Sequence, residues 1–281
     1  MIYHEKTESV FLYQLPSLFL GKIIQRPSSS CRSPYVADVM IDDQTHIAHA
    51  PSLGCCGYAD KDQWVYMTKH DNPKLCSHVI HLAKRQEKNM EYLIGIHPKS
   101  AEKIVHICLQ KGCLYSLNQL THIEKEKCFL QSRFDFVCRD KNNTFTIIEV
   151  KNVPCADYED MDIKERKKHD FTHREVNSKI SYFPDGYRKK KDDTVSPRAL
   201  KHIQELEQLK KLHPEYRCIL IFVIQRTDIA YFQASVIDPI YRKALHNAFK
   251  HGVEILPFQC HWNNEGQCLS LIHISEPTRP Y

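Results

Sequence analysis

This 281-residue chain has no CxxC pair, no unbroken apolar run long enough for a bilayer and only a small excess of one charge. Structural zinc modules take ligands in pairs two to four residues apart, in two clusters. The 12 cysteines and 17 histidines are scattered instead, so His106 with Cys108 and Cys113, or Cys260 with His261, form no such framework. Adjacent Cys55 and Cys56 are poorly placed to bond each other, and reduced, intracellular thiols are the expectation. Residues 10–24 are largely apolar but are interrupted by Gln14, Pro16 and Ser17 and preceded by Glu5, Lys6 and Glu8. That pattern argues against a membrane span and against a secretory leader, and it leaves an initial strand or helix packed on the first domain. No membrane partner is expected, and cytoplasm and nucleus both fit. A net charge of +5 permits nucleic-acid binding without demanding it.

With 42% hydrophobic residues the chain can fill one large core or two modest ones. Short apolar bursts at residues 22–24, 35–39, 45–48 and 64–67, separated by polar turns, suit a small N-terminal β-barrel. Trp64 and Tyr66 at strand spacing read as its core. Residues 84–91 read as a charged surface run leading across a domain boundary. Ala101, Ile104, Val105, Cys108 and Leu109 then recur at helical spacing, with Ser100 as cap and Gly112 as stop. Ser196-Pro197 opens a second helix, with Leu200, Ile203, Leu206 and Leu209 as its apolar stripe and Arg198, Lys201, His202 and Glu205 on another side. Residues 218–224 are a continuous apolar run, expected as a central strand buried on both faces. A shorter strand at 231–234, a helix at 239–251 and a strand at 253–256 complete a mixed α/β pattern.

The strongest local conflict lies in two strand-like bursts that carry ionisable groups: Phe134-Asp135-Phe136 and Ile147-Ile148-Glu149-Val150-Lys151. A turn at Lys141-Asn142-Asn143 makes them a hairpin, and Glu149 and Lys151, two apart, share a strand face. Asp135, Glu149 and Lys151 can then meet. Two carboxylates that close raise one another's pKa unless a cation lies between them, and a hard divalent ion such as Mg2+ or Mn2+ answers that need. The rival reading is an exposed strand face with a solvated salt bridge. Arg198 and Lys201, three apart, can clamp a phosphate with His202 in support. The basic runs at 164–168 and at Arg188, Lys189 and the two lysines that follow suit phosphate contacts, a nuclear signal or a solvated surface.

Residues 132–153, Tyr182-Phe183-Pro184-Asp185, Arg198 with Lys201-His202 and Glu205-Leu206, and Ile237-Asp238-Pro239 before residues 251–256 resemble, in that order, the sugar fermentation stimulation protein A family. The resemblance implies an OB-like domain over residues 1–90 and a PD-(D/E)xK nuclease-like α/β domain over 91–260, in a family whose bacterial members are described as DNA-binding. By position it makes Asp135 the motif aspartate and Glu149 and Lys151 the ExK pair, and it places Glu124 where such nucleases take a further acid from a helix, with Glu126 an equal candidate. Asp135 and Glu149 would hold the metal. A DNA-binding module that does not cut and an RNA-binding or processing protein are the alternatives, and the oligomeric state stays open. Two departures bear on activity: Ser52 and Leu53 replace an asparagine and a threonine in a family turn, and Pro197 stands where an acid is common. Residues 155–181 exceed the usual connection and read as a charged surface helix or loop. Residues 269–281 resemble the translation of a sequencing adapter and are expected to be a non-native tail.

Overall fold

The computed structural model describes residues 9–53, 57–114, 117, 119–185 and 193–270. Strand β1 (Val10–Gln14) is followed by β2 (Phe19–Gln25), β3 (Val36–Ile41), β4 (Gln44–His49), β5 (Trp64–Lys69), β6 (His78–Glu87) and β7 (Met90–Gly95). The last six form one sheet in the order β4-β3-β2-β5-β6-β7, and an extra β4–β6 pairing partly closes it into a ring. Alternation decides its faces: Ile23, Val39, Val65, Met67 and Ile80 fill the inside. Asp42 and Asp43, both at positive φ (46° and 61°), make the two-residue turn that joins β3 to β4.

Two expectations change here. Residues 84–91 are no linker but the β6–β7 hairpin, turned at Lys88 (φ 54°) and clasped by Lys84 and Glu91 at 2.8 Å. Trp64 is not core: it lies outward on β5 opposite Lys22, 47% exposed, because Val65 and Met67 take the inward positions.

Helix α1 (Pro98–Lys111) starts two residues before Ser100, with proline in its first turn, and stops at Gly112, whose φ of 64° a glycine adopts without strain. Then come β8 (Leu120–Phe129), β9 (Ser132–Asp140), β10 (Phe145–Asn152), β11 (Ala156–Asp157), the single turn α2 (Ile163–Arg166), β12 (Lys179–Phe183), α3 (Pro197–Leu212), β13 (Arg217–Gln225), β14 (Ile229–Ala234), α4 (Pro239–Lys250), β15 (Glu254–Trp262) and β16 (Gln267–Ser270). A seven-stranded sheet runs β1-β16-β15-β13-β10-β9-β8, with β10, β13 and β15 parallel. The architecture is mixed α/β. As expected, β13 is buried on both faces: Ile219, Ile221 and Val223 meet α1, while Leu220, Phe222 and Ile224 meet α3 and α4.

β1 does not join the first sheet as a strand. It pairs with β16, Val10 opposite Ser270 and Phe11 opposite Leu269, and buries Leu12 against α1. Leu269 and Ser270 are thus strand residues; residues 271–281 lie outside the described residues. The charged insertion is anchored rather than loose, since Asp160 accepts hydrogen bonds from Ser235 Oγ (2.9 Å), Gln233 Nε2 (2.8 Å) and the Val236 amide (2.8 Å). Among the described residues no helix is long and apolar enough to cross a membrane.

A third, small sheet runs β11-β12-β14, and a buried ionic network joins it and the end of β13 to the first sheet. Arg226 donates to both carboxylate oxygens of Asp228 at 2.7 Å and to the Tyr58 hydroxyl at 3.0 Å. Lys179 donates to Asp228 and to the Tyr92 hydroxyl, each at 2.9 Å, and to Glu87. Buried charges persist only where such partners satisfy them.

Candidate functional site

The site arises where two strands part. β9 and β10 pair from Arg139–Phe145 to Phe136–Ile148, and their pairing ends there. On the β9 side Phe136 still faces α1, whereas Phe134 faces α3 and α4, so the strand twists as it leaves its partner. The Val150 amide, one residue past Glu149, is left without a ladder partner on that side and donates to Asp135 Oδ2 at 2.7 Å.

Glu149 is 2% exposed. Its Oε1 receives Lys151 Nζ at 2.5 Å and also lies against His202 Nδ1. Its Oε2 is buried with no hydrogen-bond partner among the described residues. Burial pushes the Glu149 carboxyl up, but the contacts from His202 and Lys151 outweigh it and hold the group below its ordinary value. Asp135 goes the other way: burial first, then the neighbouring Glu149 charge, raise it to about 7, against the opposing pull of the Val150 amide and Lys151. Negative charge here is under-compensated.

The structure brings Asp135, Glu149 and Lys151 together, and it adds a residue the sequence reading missed. Glu102 on α1 feels the charges of Glu149 and Lys151, adds its own to Asp135, and is itself raised, chiefly by burial. The available signal was an acid beside the apolar stripe of a helix that had to cover the sheet. Glu124 is no helix acid: it lies on the edge strand β8 opposite Val137 and pairs with Lys127 and with His122 at 3.2 Å. Glu126 on the same strand pairs with Arg133 at 3.3 Å.

The proposed phosphate clamp divides. Arg198 is exposed at the start of α3, and Lys201 Nζ, also exposed, donates to the Gln131 carbonyl at 3.0 Å. His202 turns inward to Glu149 instead, because at 100° per residue it shares a face with Ala199, Ile203 and Leu206 rather than with Lys201. Glu205, on that buried side too, leaves its Oε2 without a partner among the described residues. Of the basic runs, Arg166 is engaged by Asp157 at 3.0 Å and the Tyr182 hydroxyl at 2.7 Å, and Lys168 by Glu165 at 2.7 Å. Arg188 and Lys189 lie outside the described residues.

Among the described residues no three His, Cys, Asp or Glu side chains stand close enough to enclose an ion alone. The donor set nevertheless fits a hard cation held partly by water or substrate oxygens: two carboxylates, one with a buried oxygen unpartnered among the described residues and the other raised by burial and by its neighbour's charge.

Comparison with known proteins gives the chain a family. Residues 99–163 and 171–266 match the family described as "Sugar fermentation stimulation protein RE domain", a span that holds Glu102, Asp135, Glu149, Lys151 and His202. A sugar fermentation stimulation protein homolog of Shewanella sp. (strain MR-4) is 29% identical over 252 residues, covering 87% of this chain and 91% of the relative. That of Ruminiclostridium cellulolyticum is 30% identical over 246 residues, covering 85% and 89%. The structure of Pyrococcus furiosus SfsA in complex with Ca2+ superposes with a TM-score of 0.71 at 18% identity, over 93% of this chain and 96% of that one, which shows a shared fold. The chain belongs to the sugar fermentation stimulation protein family.

Proposed function

We propose that this protein binds DNA and hydrolyses phosphodiester bonds at a PD-(D/E)xK-type site formed by Asp135, Glu149 and Lys151, with Glu102 as a further acid, using Mg2+ or Mn2+. One observation carries the reading: Glu149 keeps a buried oxygen without a partner among the described residues, beside an Asp135 raised first by burial and then by the Glu149 charge. Such a site is electrostatically incomplete without a cation. The Ca2+ in the described structure of the Pyrococcus furiosus relative supports a divalent ion. Asp135 and Glu149 would hold it, and it would supply Lewis acidity and a water of lowered pKa. Lys151 positions the attacking water and offsets charge developing on the phosphate. Arg198 and Lys201, exposed on α3 next to His202, hold the backbone phosphates.

A binding module that does not cut is the second reading, favoured by the 2.5 Å contact that already places the Lys151 charge on Glu149 and by Pro197 at a position where the family resemblance implies an acid. Labelled single- and double-stranded DNA, incubated with Mn2+, Mg2+ or EDTA, separates the two. Metal-dependent cleavage supports the enzyme; salt-sensitive binding without cleavage supports the module. Stronger competition by a folded RNA than by duplex DNA would move the substrate to RNA.

A further inference from the structure

Lys151 and His202 both press on one oxygen of Glu149, and the other has no partner among the described residues. A carboxylate can offer a cation one oxygen or two, and Ca2+, with six to eight ligands, often takes both. Mg2+ and Mn2+ prefer octahedral sites with single oxygens and retained waters. We infer that His202 is a positioning residue which, with Lys151, holds Oε1 of Glu149 and thereby restricts it to coordination through Oε2, biasing the site toward a small octahedral cation over Ca2+. The inference rests on the cation site proposed above and concerns the ratio of affinities, so that Ca2+ can still bind.

His202 is built for this. Its neighbours Ala199, Ile203 and Leu206 pack α3 onto the sheet, and its ring leans on Phe134 with centroids 6.0 Å apart. The ring therefore has little freedom to swing away from Glu149. Because its partner is a carboxylate, Nδ1 carries the proton and donates. Lys151, on a flexible stem, cannot fix the carboxylate plane alone; a rigid ring donor can. Partners of this kind behind a metal ligand orient it, and their loss typically weakens metal binding by about 10- to 100-fold.

The test is calorimetric titration of the full chain with MnCl2 and with CaCl2, each metal alone, on wild type, His202→Phe and His202→Asn, with thermal melting of each as a check on folding. Phenylalanine keeps the packing on Phe134 and removes the donor; asparagine can donate an N–H to Oε1. The expected result is a fall of about tenfold or more in Mn2+ affinity for His202→Phe, a smaller fall for Ca2+, and partial recovery of the Mn2+ preference in His202→Asn. If His202→Phe does not fold, His202→Asn against His202→Leu gives the same contrast between a donor and none. An unchanged Mn2+:Ca2+ ratio in the variant lacking a donor overturns the inference and leaves the cation site standing. A wild type whose cation binding is absent, or is indifferent to Asp135→Asn, removes the site itself and the inference with it.

Discussion

The Val150 amide donates to Asp135 Oδ2 at 2.7 Å, just beyond the last β9–β10 pair. This bond ties the aspartate to the backbone between Glu149 and Lys151, so one local divergence of two strands positions all three side chains. It also makes Asp135 an acceptor in a crowded acidic setting, which has consequences for pH.

Asp135 is raised from 3.8 to about 7 in the folded chain. The folded state therefore holds its proton more tightly than the unfolded state between those values, and this contribution to stability is present below about pH 4 and is lost as pH rises through about 7. Asp135→Asn keeps the acceptor and removes the charge. Its Tm should match wild type near pH 4 and rise above it progressively toward pH 7; a constant difference would contradict the burial of this carboxyl.

Added Mn2+ should reverse that loss. At pH 7 and about 100 times its Kd, a cation bound only to the folded state stabilises by about 2.7 kcal/mol, roughly 5–10 °C in Tm for a domain of this size. Differential scanning fluorimetry should show that shift in wild type and not in Asp135→Asn.

The junction between the N-terminal sheet and the rest of the chain depends on Arg226. Burial alone would raise Asp228, but Arg226 first and then Lys179 outweigh it and hold the carboxyl below its ordinary range. Arg226→Met leaves Asp228 with Lys179 alone and should cost about 3–5 kcal/mol. Urea unfolding followed by Trp64 and Trp262 fluorescence should then separate into two steps, the exposed barrel tryptophan and the buried strand tryptophan reporting different sheets.

Close packing at Gly95 gives a sharper steric test. A Cβ there would collide with the Gln225 side chain. Gln225 also donates to Asn152, next to Lys151, and accepts from Trp262 Nε1 at 2.8 Å. Gly95→Ala should lose about 1–3 kcal/mol by overpacking and shift the Trp262 emission.

If α3 contacts phosphates, Arg198→Ala and Lys201→Ala together should weaken DNA binding and lower the slope of log K against log salt by about 2. Stability should change little, since both side chains are exposed. A full salt slope in the double variant would place the phosphate contacts elsewhere.

The central hairpin was legible because a carboxylate in a strand otherwise made of Phe134, Phe136 and Val137 has no structural reason to be there. The continuous run of β13 was legible for the opposite reason, its lack of any polar position. What failed was information that no local window holds. β1 joins β16, pairing Val10 with Ser270 across nearly the whole chain, and its few apolar residues fit either sheet. Trp64 sits at strand spacing but on the outer face, which period-two alternation leaves undecided until the partner layer is known. His202 and Lys201 are adjacent letters about 100° apart around a helix, and only the packing of α3 tells which one turns inward. The helix acid expected at Glu124, with Glu126 as its equal, falls on a strand because β8 intervenes between α1 and the hairpin; Glu102, on the helix itself, lies too far back in sequence for a local window to connect it with Asp135.

The most direct test is cleavage of labelled DNA under single-turnover conditions in Mn2+ by wild type, Asp135→Ala and Lys151→Ala, with protein in excess so that all three are bound. The account predicts metal-dependent cleavage by wild type that EDTA abolishes and that each substitution lowers by about a hundredfold or more, with DNA binding retained. Cleavage that survives both substitutions, or saturated binding by wild type with no cleavage in any metal, would contradict it.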